Sequence, residues 1–228
     1  MTQDVQPPEA LTEIENQLQR LSKAVLEGNA VEARQSTYAS LARGSTANEV
    51  LEAILDAVDI LVGLHEVGEY DQNRINIAET AVNASLEVMK DYFVKAENRF
   101  NLKATVGPVG IKGGGLLALA LSAALRSLGF RTQSLSKTQT PLELLRNSEE
   151  LKADVVFPLL SGNGVERQLQ IFAEEIERGG FKSKFKVIAI APGFQDTWKQ
   201  DISVARNSGE ALSRATEWAL KRNLARDR

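Results

Sequence analysis

His65 is the only histidine in 228 residues, and the chain contains no cysteine. Histidine is the side chain that both ligates metals and moves protons near neutral pH. A single copy excludes any multi-histidine metal site, and a Ser–His–Asp system would have to be built on His65. The lack of cysteine removes thiolate ligands, disulfides and cysteine nucleophiles, which fits a cytoplasmic protein. Glu66, Glu69 and Tyr70 follow His65 in sequence. A carboxylate beside an imidazole can orient the ring or take part in proton transfer. The plainer alternative, solvated charge at a helix end, is preferred.

Two glycine-rich stretches could bring backbone N–H groups to a ligand. In the first, Lys112-Gly113-Gly114-Gly115 links a short apolar strand to an apolar helix within Thr105–Phe130. Such a turn can form an anion nest at a helix N-terminus, with Lys112 adding charge. It is not a P-loop, because no G-K-[ST] follows. It is not G-x-G-x-x-G either: Ala118 takes the last position, and Gln133 and Ser134 lie where an acidic residue is expected. The alternative is a flexible turn left behind by a decayed ligand motif. The second stretch, Ser161-Gly162-Asn163-Gly164, is rich in donors, yet a turn needs Gly and Asn for its backbone alone.

The elements that must position these residues follow from periodicity. The apolar fraction of 43% supports packed cores, and a net charge of −3 gives no basic surface for nucleic acid. The first residues do not read as a signal peptide, and the apolar run Leu116–Leu125 is too short to span a bilayer. Residues 1–8 read as a flexible lead-in. Helical spacing predicts four helices over 9–97, about 10–26, 30–42, 48–68 and 72–96, joined as an antiparallel bundle. Asn48 or Thr46 caps the third. After a linker at 97–103, residues 104–228 alternate. Strands are expected at Ala104–Val109, Arg131–Ser134, Asp154–Leu160, Lys186–Ala191 and Ile202–Val204. Helices are expected at Leu116–Leu128, from Pro141, at Val165–Arg178 and at Glu210–Leu224, with a short segment at Phe194–Gln200. This is an α/β class: a doubly wound, Rossmann- or flavodoxin-like parallel sheet of five strands. Ligands of such sheets bind beyond the strands' carboxyl ends. Here that edge is Val109–Gly115, Leu160–Gly164 and Ala191–Phe194, which includes Pro192 and Gly193.

A four-helix bundle followed by such a sheet resembles the cobalamin-binding module of methionine synthase and of corrinoid methyltransferase proteins. LSKAVLEGNAVEA is similar to that family's first helix pair, and NEVLEAILDAVDILVGLHEVGEY to its helix ending in VGELFxxGEY. AETAVNASLEVMK resembles the helix that follows. The hallmarks differ. The family's D-x-H-x-x-G falls on Lys112, Gly113, Gly114, Gly115, Leu116 and Leu117, so the histidine that ligates cobalt from below is Gly114. The third-strand S-x-L falls on Leu159, Leu160 and Ser161, and the fourth-strand Gly-Gly on Ile190 and Ala191. The family's F-L-P falls on Asp71, Gln72 and Asn73. Phe157-Pro158 replaces small residues. His65 stands where the family places a bulky aromatic over the corrin's upper face.

The resemblance implies a noncanonical corrinoid protein that binds cobalamin between bundle and sheet, without a lower histidine, either base-on or with His65 as a ligand, and that carries a methyl group to or from partner methyltransferases. His65 is its candidate metal ligand, the alternative being an interfacial side chain in an aromatic's place. The cofactor-binding set is His65, Glu69, Tyr70, Asn73, Lys112, Gly113, Gly114, Gly115, Ser161, Gly162, Asn163, Pro192 and Gly193. Enzymatic activity would be at most that of a methyl-carrying subunit. A partner methyltransferase or signalling protein is implied, and a homodimer is allowed. The other expectations are a sensor that uses the same cleft for cobalamin, another tetrapyrrole or a small anion, and a ligand-free scaffold.

Overall fold

The computed structural model describes residues 9–96, 99–162, 164–194 and 202–226. Five helices come first: α1 (Glu9–Glu27), α2 (Ala30–Ala42), α3 (Ala47–Glu66), α4 (Gln72–Val88) and α5 (Lys90–Ala96). Their starts are set by side chains that satisfy orphan N–H groups. Asn29 accepts from Glu32 N, and Asp71 from Arg74 N. Thr46, rather than Asn48, caps α3 in a reciprocal box with Glu49. The single helix expected from 72 to 96 is broken at Met89. That residue is fully buried, and its N–H closes a tighter turn on Leu86 O at 3.1 Å. Burying the Met89 side chain ends α4 and turns the chain into α5.

The rest alternates: β1 (Lys103–Val109), α6 (Gly114–Leu128), β2 (Arg131–Ser134), α7 (Pro141–Glu150), β3 (Val155–Leu160), α8 (Val165–Arg178), β4 (Lys186–Ile190), β5 (Ile202–Ala205) and α9 (Ser208–Arg226). The strands pair in parallel in the order β2-β1-β3-β4-β5, as a flavodoxin-like sheet requires. The expected Phe194–Gln200 segment runs into residues outside those described, as does Asn163. Pro158 sits in the central strand β3 without an N–H to donate. The β3–β4 ladder pairs Val156 with Val187 and resumes at Leu159 with Ile190. On the other side Pro158 lies opposite Gly107 of β1.

Alternate residues of the sheet serve two cores. Val106, Phe157, Leu159, Ile188 and Ile190 face α6 and α9, and that core runs on without a break into α1, α3 and α4 of the bundle. Val109, Val156, Leu160, Val187 and Ala189 face α7 and α8. Bundle and sheet therefore share one apolar interior, with α3 packed on both α6 and α9. This packing lays the C-terminal end of α3 over the carboxyl edge of the sheet.

Candidate functional site: the seam between α3 and the sheet edge

The last two turns of α3 present Asp59, Val62, Gly63 and Glu66 on one face, as helical periodicity requires. With Val67 they form one wall of a cleft of about 350 Å³. Ile111 and Leu117 form its floor. Gly162 after β3, Pro192 and Gly193 after β4, and Arg206 and Asn207 after β5 complete it. The cleft thus lies where a doubly wound sheet binds its ligands.

Two carboxylates fasten α3 to this edge. Glu66 Oε1 accepts from Lys112 N at 2.6 Å, and Glu66 Oε2 accepts from Ser161 Oγ. The N–H at the start of the glycine turn does hold an anion, and the anion comes from the bundle. Asp59 accepts from Ser208 Oγ at 2.9 Å and from Ser208 N at 3.2 Å, at the first turn of α9. A carboxylate there is favoured by the helix dipole. Burial nevertheless pushes the Asp59 carboxyl up from its ordinary range. The two Ser208 bonds oppose the shift, and the nearby Asp56 charge adds to it. Asn207 caps α9 through Glu210 N, at 2.8 Å. Glu210 takes the Arg206 N–H and both the Arg206 and Arg214 guanidinium groups. The Arg206 N–H is the main reason its carboxyl falls to about 2.

His65 lies beside the cleft but is not one of its walls. The half-buried ring shares a hydrogen bond of 2.7 Å between Nδ1 and Tyr70 O. Donation from Nδ1 to a carbonyl leaves Nε2 as the basic nitrogen. Nε2 has no hydrogen-bond partner among the described residues. A Cβ placed on Gly113 would come 3.3 Å from His65 Cδ2, so this edge of the ring rests on the glycine turn. Tyr70 is half-buried, with the Arg74 guanidinium 5.5 Å from its ring centroid.

The three turn glycines answer separate demands. Gly113 takes φ +67 as the N-cap of α6. A Cβ on Gly114 would meet Pro108 and Ile111 at 2.5 Å, and one on Gly115 would meet Ser136 O at 2.7 Å. Close packing of the turn accounts for the last two without any ligand.

The structure gathers His65, Lys112, Gly113 and Ser161 at the seam, and Gly162, Pro192 and Gly193 in the adjoining cleft. Tyr70 joins them through its carbonyl. Glu69 and Asn73 are exposed and border neither. Sequence reasoning missed Asp59, Gly63, Arg206 and Asn207. A signal for two of them existed: Asp59, Gly63 and Glu66 recur at spacings of four and three, on one helical face. Among the described residues no group of three or more His, Cys, Asp or Glu could hold a metal ion, and no helix is long and apolar enough to cross a membrane.

No known protein-family model matches the sequence, and no curated protein matches it. Solved structures do. The chain is similar to the monomethylamine corrinoid protein of Methanosarcina barkeri, with a TM-score of 0.62 and 15% identity over 89% of this chain and 98% of that one. Weaker similarity extends to the methanol:cobalamin methyltransferase complex of the same organism, with a TM-score of 0.46 and 14% identity over 96% of this chain and 86% of that one. A cobalamin-binding protein of Desulfitobacterium hafniense DCB-2 gives a TM-score of 0.46 and 14% identity over 88% and 98%. The first of these shows that bundle and sheet together form the fold of a corrinoid protein.

Proposed function

We propose that this protein binds a corrinoid at the seam between α3 and the glycine turn, and serves as a methyl-carrying module for a partner methyltransferase. The observation that carries the binding proposal is the setting of its one imidazole. A metal-bound histidine characteristically donates its second ring nitrogen to a carbonyl or carboxylate, which fixes tautomer and orientation. His65 does so to Tyr70 O, and its Nε2 has no hydrogen-bond partner among the described residues. The donor chemistry therefore fits a corrinoid's metal, with the imidazole supplied from the bundle side. The lower loop, with Gly114 in place of a histidine, supplies none.

The closed seam leaves no room for the macrocycle. His65 rests on Gly113, Glu66 spans to Lys112 and Ser161, and the cleft of about 350 Å³ is at the small end of the range for small-molecule sites, roughly 300–1,000 Å³. Binding requires the end of α3 to part from the turn. Once they part, Lys112 N, Ser161 Oγ and the Glu66 carboxylate would be freed to hold polar groups of the corrinoid. Leu117, Ile111 and Val62 would supply apolar contact. The corrinoid itself supplies the methyl-transfer chemistry, and the chain binds and orients it.

Titration of the protein with methylcobalamin and with hydroxocobalamin, followed by visible absorbance, tests this. Saturable spectral change is expected, and no binding of either would end the proposal. In His65→Ala the axial-ligand bands should shift while binding persists, and an unchanged spectrum removes His65 from the role. A second reading, a sensor of a smaller metabolite, is favoured by the ready-made cleft and would be the one left standing.

A further inference from the structure

The net charge of −3 conceals two unlike halves. Residues 1–97 carry 17 acidic and 7 basic side chains, and residues 98–228 carry 13 and 20. This opposition does not go into holding bundle to sheet. Among the described residues every ion pair lies within one half, as in Lys23–Glu27, Arg43–Glu13, Lys184–Glu149 and Arg222–Asp154. Glu66 and Asp59 do cross, and they meet N–H and hydroxyl groups rather than cations. The opposed charges therefore stay at the surface, where they can steer an encounter with another molecule.

The acid concentrates along the outer strip of α3. Glu49, Glu52 and Asp56 recur at spacings of three and four, so they share a helix face. All three are exposed, and they edge a groove of about 470 Å³ between α1 and α3. Its floor includes the half-buried Leu18, Leu26 and Ala53. Glu49 is engaged in the Thr46 capping box, whereas Glu52 and Asp56 have no cationic partner among the described residues. On the opposite rim Lys23 is paired with Glu27 at 3.8 Å.

The base gathers at the amino edge of the sheet. Lys103 and Arg131 start β1 and β2 opposite each other, and Lys186 starts β4. Lys152, Lys182 and Lys184 are exposed in the turns that lead into β3 and β4. Three acids share this edge. Asp154 gives its carboxylate oxygens to Lys103 N at 2.9 Å and to Arg222 at 2.7 Å, Glu149 is paired with Lys184, and Glu150 is exposed. The cations outnumber them, and the edge stays basic. Leu151 stands within it, 37% exposed, beside Lys152 and with its carbonyl held by Lys103 Nζ at 3.4 Å.

An apolar knob among cations is the complement of an apolar-floored groove edged by acids. We propose that the α1–α3 groove takes the Leu151–Lys152 corner of a second copy of this chain. Leu151 seats on the groove floor, and the surrounding lysines face Glu52 and Asp56. The groove stops before the last two turns of α3, and the amino edge is the end of the sheet away from the cleft. The contact therefore leaves the seam free and stands whether or not a corrinoid binds there.

The test is sedimentation velocity on the wild-type chain, on a groove variant, Glu52→Gln with Asp56→Asn, and on an edge variant, Leu151→Ser with Lys152→Asn. All four positions are exposed, and asparagine suits the φ of +53 at Lys152, so both variants should melt close to wild type. The weight-average mass of wild type should rise with protein concentration. Raising salt from about 0.1 M to about 1 M, which shortens the Debye length from about 10 Å to about 3 Å, should weaken the association at least about fivefold. Each variant alone should be monomeric where wild type associates. Mixed, they should form a one-to-one complex, because each brings the surface that the other lacks. Wild type that stays monomeric up to about 1 mM overturns the inference and leaves the groove to a basic segment of another protein. Association that ignores salt or survives in either variant overturns it as well, and so do variants that remain monomeric when mixed.

Discussion

Asp59 shows how one side chain can work against the element that holds it in place. Its carboxylate meets the first turn of α9, where a negative charge is welcome, yet the surrounding burial disfavours that charge and wins. The folded pKa therefore lies above the ordinary 3.8, and the folded chain holds the proton more tightly than the unfolded chain does. The stability this contributes is fully present below pH 3.8 and is lost as pH rises through the folded value. Asp59→Asn keeps an acceptor for Ser208 without the charge. It should flatten the dependence of denaturant midpoint on pH from acid to neutrality, and a slope equal to wild type would show that the group does not titrate as described. Glu210 has the opposite sign. Its carboxyl is lowered from 4.5 to about 2, so its contribution is present above pH 4.5 and lost as pH falls through about 2. Glu210→Gln should lower the midpoint above pH 4.5 and converge on wild type as pH falls through about 2, measured by the same midpoints.

At the scale of elements, the glycines separate packing from binding. Gly114→Ala forces a Cβ to within 2.5 Å of Pro108 and Ile111, and overpacking of this kind costs about 1–3 kcal/mol. Gly63→Ala should do the reverse and stabilise by up to about 1 kcal/mol, since a helix prefers alanine and the space is free. Thermal melts of the two variants should move in opposite directions. Sequence periodicity was enough to find the helices, the five strands and the turn that joins β1 to α6, because each of these is written in local spacing and caps. Thr140, Pro141 and Glu143 make a helix start visible from the residues alone. The cleft was only half legible. Asp59 and Ser208 are 149 residues apart, and Glu66 and Ser161 are 95 apart. No periodicity carries such pairings; they follow from the way α3 lies across the sheet edge. The break at Met89 was missed for a related reason, as its cause is burial in a core assembled from distant elements.

Taken whole, the molecule is fastened by apolar packing along α3 as far as Leu61 and Val62, and its last turn is closed by polar contacts. Leu51, Ile54 and Val58 are buried in the core that also contains Leu117, Leu121 and Ala215. Beyond them the seam is held by Glu66, the Asp59–Ser208 pair and the rest of His65 on Gly113. Gly68, at φ +83, follows immediately and gives the chain a pivot. Opening for a ligand should therefore be local to the α3 end, with the bundle's core left seated on α6. Hydrogen exchange separates this from wholesale lifting of the bundle. The Lys112 amide, whose acceptor is Glu66, should exchange far faster than amides near Leu121 in α6, and Glu66→Ala should speed Lys112 further without touching them. Leu121→Ala should act globally, costing about 2–5 kcal/mol as a buried leucine truncation does. It should lower the protection of α3 and α6 amides together. If the α3 amides near Leu51 exchanged as readily as Lys112, the bundle would be parting as a body. The polar clasps at its end would then not be what limits entry to the seam.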